Sequence, residues 1–279
     1  MTNQYLEQAN RNLLIIDEIV NDETAIDTPT DWYVGIDLGT ADIQTVVIDG
    51  DGTPIAAFLD WADVVRDGVV VDYVGACRIV RDHLEKVQHK LGVQVEEAIT
   101  SYPPGTDPRI SINVVESAGI VVSHVIDEPS SVAALLHIEN GAVVDVGGGT
   151  TGTAIIESGE LVTSLDEPSG GRHVSLAIAG GMTVDLEQAE IQKRRSHEDP
   201  LVAAMAKPVI EKMSDIVAEH ISDHQPGSIY LTGGGTLIAG FAEIFRKTFP
   251  ELDVVELSRA LYLTPLAIAS YGLAIRDEE

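Results

Sequence analysis

The 279-residue sequence predicts an α/β protein built as two similar halves. Short Val- and Ile-rich runs alternate with segments of helical periodicity along most of the chain, the rhythm of sheets covered by helices. A three-strand pattern opened by an acidic residue and a glycine occurs twice. Asp37 and the hairpin glycine Gly52 recur, at offsets agreeing to within one residue, as Asp145 and Gly159, which points to an internal duplication. Three apolar runs also end in glycine-rich junctions, at residues 37–40, 145–150 and 232–236, where a strand breaks into a turn of bare backbone.

Leu6, Ala9, Leu13, Ile16 and Val20 form one apolar stripe of a helix over residues 5–20, and Asn21 to Thr30 reads as a polar tether. Such a helix either docks on a partner or folds back on its own domain; the second is favoured because isolated helices of this length are marginal in water. Strands are predicted over 32–38, 43–48 and 54–59, with Asp49-Gly50-Asp51-Gly52 turning the second into the third. Cys77, Val80, Leu84, Val87 and Leu91 share one face of a helix over 72–91. A strand at 97–101 stops at Pro103-Pro104-Gly105, and a helix over 107–118 and a strand over 120–126 follow. Glu128-Pro129 introduces a helix over 130–138, proline being tolerated in a first turn. The second half repeats the rhythm. Strands run from 143 to 163 around a Ser158-Gly159 turn, with helices over 171–194 and 200–222, a strand at 228–232, a helix at 236–248, a strand at 253–256 and a closing helix at 264–275.

The charge narrows the function. Against 17 basic residues stand 45 acidic ones, a formal net charge of -28. That sign repels nucleic acid and anionic lipid, so neither nucleic acid nor membrane is expected as a partner. Cys77 is the single cysteine, which leaves no intramolecular disulfide, and the eight histidines are scattered without metal spacing. With no signal peptide and no apolar run of about 18 residues, a cytoplasmic protein is expected. The acidity has one chemical consequence: an anionic ligand needs local relief from a metal ion, backbone N–H groups and the few nearby cations.

Asp145-Val146-Gly147-Gly148-Gly149-Thr150-Thr151-Gly152 offers such relief. Successive N–H groups of a glycine turn make a concave nest for anions, threonine hydroxyls add hydrogen bonds, and a carboxylate at the edge suits a hydrated Mg²⁺. Alone, the stretch reads equally well as a plain hairpin. Its echo at Asp37-Leu38-Gly39-Thr40 and the third turn, Leu231-Thr232-Gly233-Gly234-Gly235-Thr236, favour a grip on phosphates and a nucleoside.

Over roughly residues 31–275 these motifs resemble the actin, Hsp70 and sugar-kinase superfamily. Gly35 to Thr40 is similar to its first phosphate loop, Asp145 to Thr150 to the second, Asp127 to Ala133 to the first connecting segment, Leu231 to Thr236 to the adenosine loop and Thr264 to Gly272 to the second connecting helix. The resemblance implies an actin-like ATPase fold: two duplicated ribonuclease H-like halves, 31–139 and 140–263, around a nucleotide cleft, with reduced outer subdomains. A helix and tether at 1–30 precede them, and a C-terminal helix at 264–279 returns to the first half. Within the superfamily, the runs Leu59 to Gly68, Ser101 to Asn113 and Thr264 to Ser270 resemble the ethanolamine-utilisation chaperonin-like family.

The resemblance implies ATP and Mg²⁺ as cofactors. Asp37 and Asp145 would orient the metal, while Gly39, Thr40, Gly147, Gly148 and Gly149 would hold phosphates. Gly233, Gly234 and Gly235 would lie against the adenosine, and Glu190 and Lys193 would contact ribose and base, the alternative for that pair being an ordinary exposed helical i, i+3 contact. Glu128 matches the carboxylate that orients attacking water, and Thr150 a threonine near the γ-phosphate; with Asp145 they form the implied catalytic set. This division suits phosphoryl transfer, which needs positioning and charge neutralisation more than covalent chemistry.

Departures from the superfamily temper the activity. The first half passes from Gly68 directly to a helix, without the subdomain that brings a catalytic lysine in Hsp70, and only Lys86 and Lys90 precede Lys193. The second half is trimmed around His197 to Leu201, and the 279 residues contain no peptide-binding domain of the Hsp70 kind. Slow ATP hydrolysis is therefore the expectation. The implied role is a chaperone-like assembly factor for ethanolamine-utilisation enzymes or microcompartment shell proteins, associated with a microcompartment and open to oligomerisation, with the N-terminal helix as a docking peptide. Two alternatives stay open. One is a small-molecule kinase for a sugar or short acid, with Asp60 or Asp63 as base; the other is a nucleotide-dependent scaffold without turnover.

Overall fold

The Asp37 and Asp145 repeats fold into two sheets of identical topology. The computed structural model describes residues 4–66 and 69–278. Its chain forms two units, Met1–His137 with Tyr262–Glu279, and Ile138–Leu261. In the first unit β1 (Trp32–Leu38), β2 (Asp42–Asp49) and β3 (Pro54–Trp61) form an antiparallel meander. Two strands of two residues each follow, β4 (Val65–Arg66) paired antiparallel with β5 (Val69–Val70). Parallel strands β6 (Glu97–Tyr102) and β7 (Val121–Asp127) extend the sheet beyond β1, giving the order β3-β2-β1-β6-β7. The second unit repeats every sense and neighbour: β8 (Asn140–Val146), β9 (Thr151–Glu157) and β10 (Glu160–Glu167) are the meander, and β11 (Ser228–Thr232) and β12 (Asp253–Glu256) run parallel to β8 in the order β10-β9-β8-β11-β12.

The helices of the first unit are α1 (Gln4–Ile19), α2 (Tyr73–Leu91), α3 (Arg109–Glu116) and α4 (Glu128–Leu136). Asp72 caps α2 by accepting the Gly75 N–H at 2.9 Å, and Gly92, at φ 64°, ends it. Its predicted stripe, Cys77, Val80, Leu84, Val87 and Leu91, is buried against Ile36, Val47 and Phe58 of the sheet. In the second unit α5 (Gly171–Met182), α6 (Leu186–Arg194), α7 (Pro200–His220) and α8 (Phe241–Thr248) enclose a core of Val144, Val146, Ile155, Val174, Ile178, Ile210 and Phe245. The closing helix α9 (Leu263–Glu278) packs on β1 of the first unit. Among the described residues no helix is long and apolar enough to cross a membrane.

Three helices differ from the periodicity reading. The one expected over 171–194 is two, because Thr183 turns left-handed at φ 56° and Asp185 starts a new helix by accepting the Gln188 N–H at 2.8 Å. Between 236 and 248 a 3₁₀ turn (Gly234–Leu237) and α8 are separated by Gly240 at φ 81°. The helix expected from 107 starts at Arg109, since the Asp107 carboxylate takes the Arg109 N–H at 3.0 Å and holds a turn. In each case a local side-chain or glycine conformation overrides a continuous apolar pattern.

The N-terminal helix folds back. Ala9, Leu13 and Ile16 are buried, α1 lies on β3, and Asn12 Nδ2 donates to Gly52 O at 2.9 Å. Beyond it the chain caps the edge strand: Val20 bridges Ala57, and the Asn21 amide both accepts from Leu59 N (2.9 Å) and donates to Leu59 O (3.0 Å). The apolar stripe is thus spent within its own unit, which removes it as the docking surface of the peptide considered above.

The tether is pinned as well. Lys90, 1% exposed, donates to both the carbonyl and the carboxylate of Asp22 at 2.8 Å. Hydrogen bonds from Lys90 and Thr24 hold the Asp22 carboxyl down from 3.8 to about 2. A depressed folded-state pKa contributes stability that is complete above about pH 4 and lost as pH falls through about 2. Asp22→Asn is therefore expected to flatten the fall of Tm between pH 4 and pH 2 and to lower Tm at neutral pH, read by circular dichroism melts. An unchanged slope would show that this ion pair does not fasten the tether.

Candidate functional site

In the second unit the junction between β8 and β9 is a hairpin loop closed by Gly147 N donating to Thr150 O at 3.1 Å. The start of α5 supports it from behind. Gly171 N donates to Gly147 O (2.9 Å) and Arg172 N to Gly148 O (2.8 Å). Among the described residues no peptide is cis, and in a planar trans peptide the N–H points opposite to its carbonyl. The N–H groups of Gly148 and Gly149 are therefore turned away from α5, side by side, which is the arrangement of an anion nest. The first amides of α5 are consumed by the loop, so the backbone of the hairpin, not the helix end, faces outward. A Cβ on Gly147 would meet nothing within 4 Å, whereas one on Gly170 would strike Gly149 C and Thr150 N at 2.6 Å.

The third glycine turn meets this loop. Thr232 on β11 pairs in register with Asp145 on β8, and a Cβ on Gly233 would lie 2.3 Å from Asp145 Oδ1 and 2.6 Å from Val146 O. A Cβ on Gly235 would lie 2.4 Å from Val146 Cγ1. Bare backbone at Gly233 and Gly235 is thus what lets β11 and its turn close on Asp145, while Gly234 begins the 3₁₀ turn. Asp145, Gly147, Gly148, Gly149, Thr150 and Gly233 to Gly235 converge at the carboxyl ends of parallel strands, where open α/β sheets place ligands.

Glu190 and Lys193 are more than an exposed helical pair. Lys193 Nζ donates to Glu190 Oε2 at 2.6 Å and to Gly171 O at 3.2 Å; Ser175 Oγ donates to Glu190 Oε2 at 2.6 Å and Arg194 Nε to Oε1 at 3.1 Å. Burial alone would raise the Glu190 carboxyl, but Lys193, Ser175 and Arg194 outweigh it and hold it low; burial lowers the Lys193 amine against the pull of Glu190. The pair ties α6 to the first turn of α5, and a Cβ on Gly171 would lie 3.1 Å from Lys193 Nζ and 3.9 Å from Gly148 Cα.

In the first unit Asp37 is the penultimate residue of β1 and is 8% exposed, with Ser101 on β6 donating to its Oδ1 at 3.1 Å. Gly39 and Thr40 form the short turn to β2, where a Cβ on Gly39 would meet Asp42 O at 2.9 Å. Glu128 opens α4 directly after β7, and Asp127 caps that helix through the Ser130 N–H at 2.9 Å. Asp60, offered above as a kinase base, is committed to His83: Oδ2 lies 3.0 Å from His83 Nε2, and Thr45 Oγ1 is 3.0 Å from Nδ1. Burial depresses the His83 pKa despite Asp60, so the neutral ring donates from Nε2 and accepts from Thr45.

Residues 60–182 match the MreB/Mbl protein family model. Over 250 residues the chain is 52% identical to the ethanolamine utilization protein EutJ of Escherichia coli (strain K12), covering 90% of this chain and 89% of that one. The chain belongs to the EutJ family. The crystal structure of EutJ from Carboxydothermus hydrogenoformans matches with a TM-score of 0.87 at 40% identity, covering 95% of this chain and 98% of that one. MreB5 of Spiroplasma citri bound to ADP matches at 0.72 and 18% identity over 89% and 98% of the two chains, a likeness of fold. This EutJ family member therefore has the actin-like fold that its motifs imply.

Sequence reasoning missed the residues that support this candidate site. Gly170 and Gly171 stand in the sequence as a Gly-Gly pair before a helix, a signal that was available. Ser101 and Ser175 carry none, because a serine on a strand or helix does not reveal which carboxylate it faces.

Proposed function

We propose that this chain is an ATP-binding, chaperone-like assembly factor of ethanolamine utilisation, acting on the enzymes or the shell of a microcompartment and hydrolysing ATP slowly. The observation that carries the nucleotide reading is the meeting of Asp145, the Gly148 and Gly149 amides and the Gly233 turn at one end of one sheet. These residues fit a phosphate with a hydrated cation: two N–H groups point the same way, space lies open at Gly147, and a carboxylate stands at the edge. In this reading Gly147 to Gly149, Gly39 and Thr40 hold phosphates, Asp37 and Asp145 hold Mg²⁺, Gly233 to Gly235 with Glu190 and Lys193 face the nucleoside, Glu128 orients water and Thr150 lies near the γ-phosphate. Bound Mg-ATP supplies a phosphoanhydride open to water. That MreB5, of the same fold, holds ADP supports the choice of ligand; that EutJ proteins bear the ethanolamine-utilisation name supports the setting.

Slow turnover follows from the cations. Lys86 lies over the Phe58 ring at 5.7 Å, Lys90 is buried on Asp22, and Lys193 is bound to Glu190. Each lysine up to position 193 is engaged, so stabilisation of transition-state charge falls to Mg²⁺ and backbone amides. The test is thermal unfolding with Mg-ATP on wild type and Asp145→Ala, beside a phosphate-release assay. A ligand at about 100 Kd adds about 2.7 kcal/mol of apparent stability; wild type should gain it and Asp145→Ala should lose most of the Mg-dependent part. No nucleotide stabilisation of wild type would sink the reading.

A further inference from the structure

The internal duplication compares the two acidic junctions position by position. Asp37 is the penultimate residue of β1 and Asp145 that of β8; β6 runs parallel beside β1 as β11 does beside β8. On β6 the residue beside Asp37 is Ser101, one step past the Ile36–Thr100 pair, and its hydroxyl donates to Asp37 Oδ1 at 3.1 Å. On β11 the residue beside Asp145 is Thr232, paired with it in register. Both positions carry a buried hydroxyl, 1% exposed in each case. Yet Thr232 Oγ1 has no hydrogen-bond partner and is, among the described residues, the buried side-chain polar atom left so.

A buried hydroxyl without a partner is costly, so such atoms in native proteins call for an explanation. Packing does not supply one, since valine has the same shape without the polar atom. Neighbours in register on parallel strands project from the same face of a sheet, so Thr232 and Asp145 leave β11 and β8 side by side. Gly233, the next residue, brings the backbone against Asp145 Oδ1. The first unit shows what a hydroxyl at this place does: it fixes the carboxylate.

We propose that Thr232 is the positioning residue of Asp145, its hydroxyl engaging the carboxylate when the site is loaded. The two junctions then differ in kind. The Ser101 hydroxyl already donates to Asp37, whereas the Thr232 hydroxyl finds its partner on loading, so the second unit couples ligand binding to satisfaction of a buried group. This inference rests on the reading that Asp145 serves a nucleotide-bound cation.

The experiment uses Thr232→Val, Thr232→Ser and Ser101→Ala in the full chain, with melts without ligand and Kd for ATP measured with Mg²⁺ and with chelator. Without ligand, Thr232→Val should melt at or above the wild-type temperature, because it removes an unpartnered hydroxyl, while Ser101→Ala should melt lower. With Mg²⁺, Thr232→Val should bind ATP about tenfold more weakly, the worth of one hydrogen bond to a charged group. Its Kd in chelator should be unchanged, and Thr232→Ser should restore the Mg²⁺ increment. A lower melting temperature for unliganded Thr232→Val with a full Mg²⁺ increment would mark the hydroxyl as ordinary structure and overturn the proposal. Wild type binding ATP with no Mg²⁺ increment would overturn it too, and wild type showing no binding at all would bring down the nucleotide reading beneath it.

Discussion

Gly35→Ala lowers the unfolding midpoint by about 6–12 °C, the expected consequence of about 3 kcal/mol of overpacking. Gly35 sits inside β1, paired with Val46 on one side and Ile99 on the other. A Cβ there would lie 2.4 Å from Ala269 N, 2.9 Å from Ala269 Cα and 2.9 Å from Pro265 O. All three are backbone atoms of α9, so no side chain can swing aside; the helix must lift from β1, or the strand must leave its two neighbours. Either movement opens the contact by which the end of the chain closes the first unit. Gly272→Ala on the same helix is the control. Its Cβ would meet Ile99 Cδ1 at 2.6 Å and the Tyr33 ring at 2.9 Å, side-chain atoms that can shift without moving the backbone, so a smaller loss is expected. Calorimetry on both variants decides the matter. Equal and small shifts would mean that α9 is loosely seated.

The duplicated architecture was legible because its signals are local. Val34, Ile36 and Leu38 alternate with Gly35 and Asp37, Val144 and Val146 flank Asp145, and glycine follows each acidic residue within two positions. Periodicity also found the buried stripe of α2. It failed where a single residue overrides a pattern, as Thr183 and Asp185 do between α5 and α6, because apolar spacing carries no record of a left-handed turn or a cap. The site divides in the same way. Gly147 to Gly149 and Gly233 to Gly235 stand out by composition, and their recurrence at separate strand ends, with Asp37 to Thr40, favours a ligand grip over plain turns. Their supports do not: that Gly170 backs the hairpin, that Ser175 holds Glu190, and that Ser101 and Thr232 are counterparts all depend on which strand lies beside which. The fate of the lysines was similarly hidden. The apolar stripe of α2 says nothing of Lys90, which is buried on Asp22 by the return of the tether over that helix.

Gly170→Ala abolishes most of the Mg-ATP stabilisation while the protein stays folded. Gly170 is extended, at φ -135° and ψ -167°, a conformation open to alanine; the obstacle is space. The added methyl would collide with Gly149 C and Thr150 N at 2.6 Å and Gly147 O at 2.8 Å, so the hairpin loop must move. Two hydrogen bonds hold it to α5, Gly171 N to Gly147 O and Arg172 N to Gly148 O, and these set the direction of the Gly148 and Gly149 amides. A loop pushed off α5 loses that orientation, and with it the paired N–H groups on which phosphate binding depends. The fold survives because the loop is only half-buried and the α5 core residues Val174 and Ile178 lie a turn or more away, for a stability cost of about 1–3 kcal/mol. Gly147→Ala separates the loop's shape from its occupancy. Its Cβ enters open space, and Gly147 is not among the glycines with positive φ, so the unliganded protein should melt as wild type does. If that space belongs to the phosphates, the same methyl group weakens ATP binding by about tenfold or more. Titration calorimetry with Mg-ATP reads both variants. Wild-type affinity in the two together would place the phosphates elsewhere, whereas loss in both, with only Gly170→Ala destabilised, is the pattern of a loop whose amides are aimed from behind and occupied from in front.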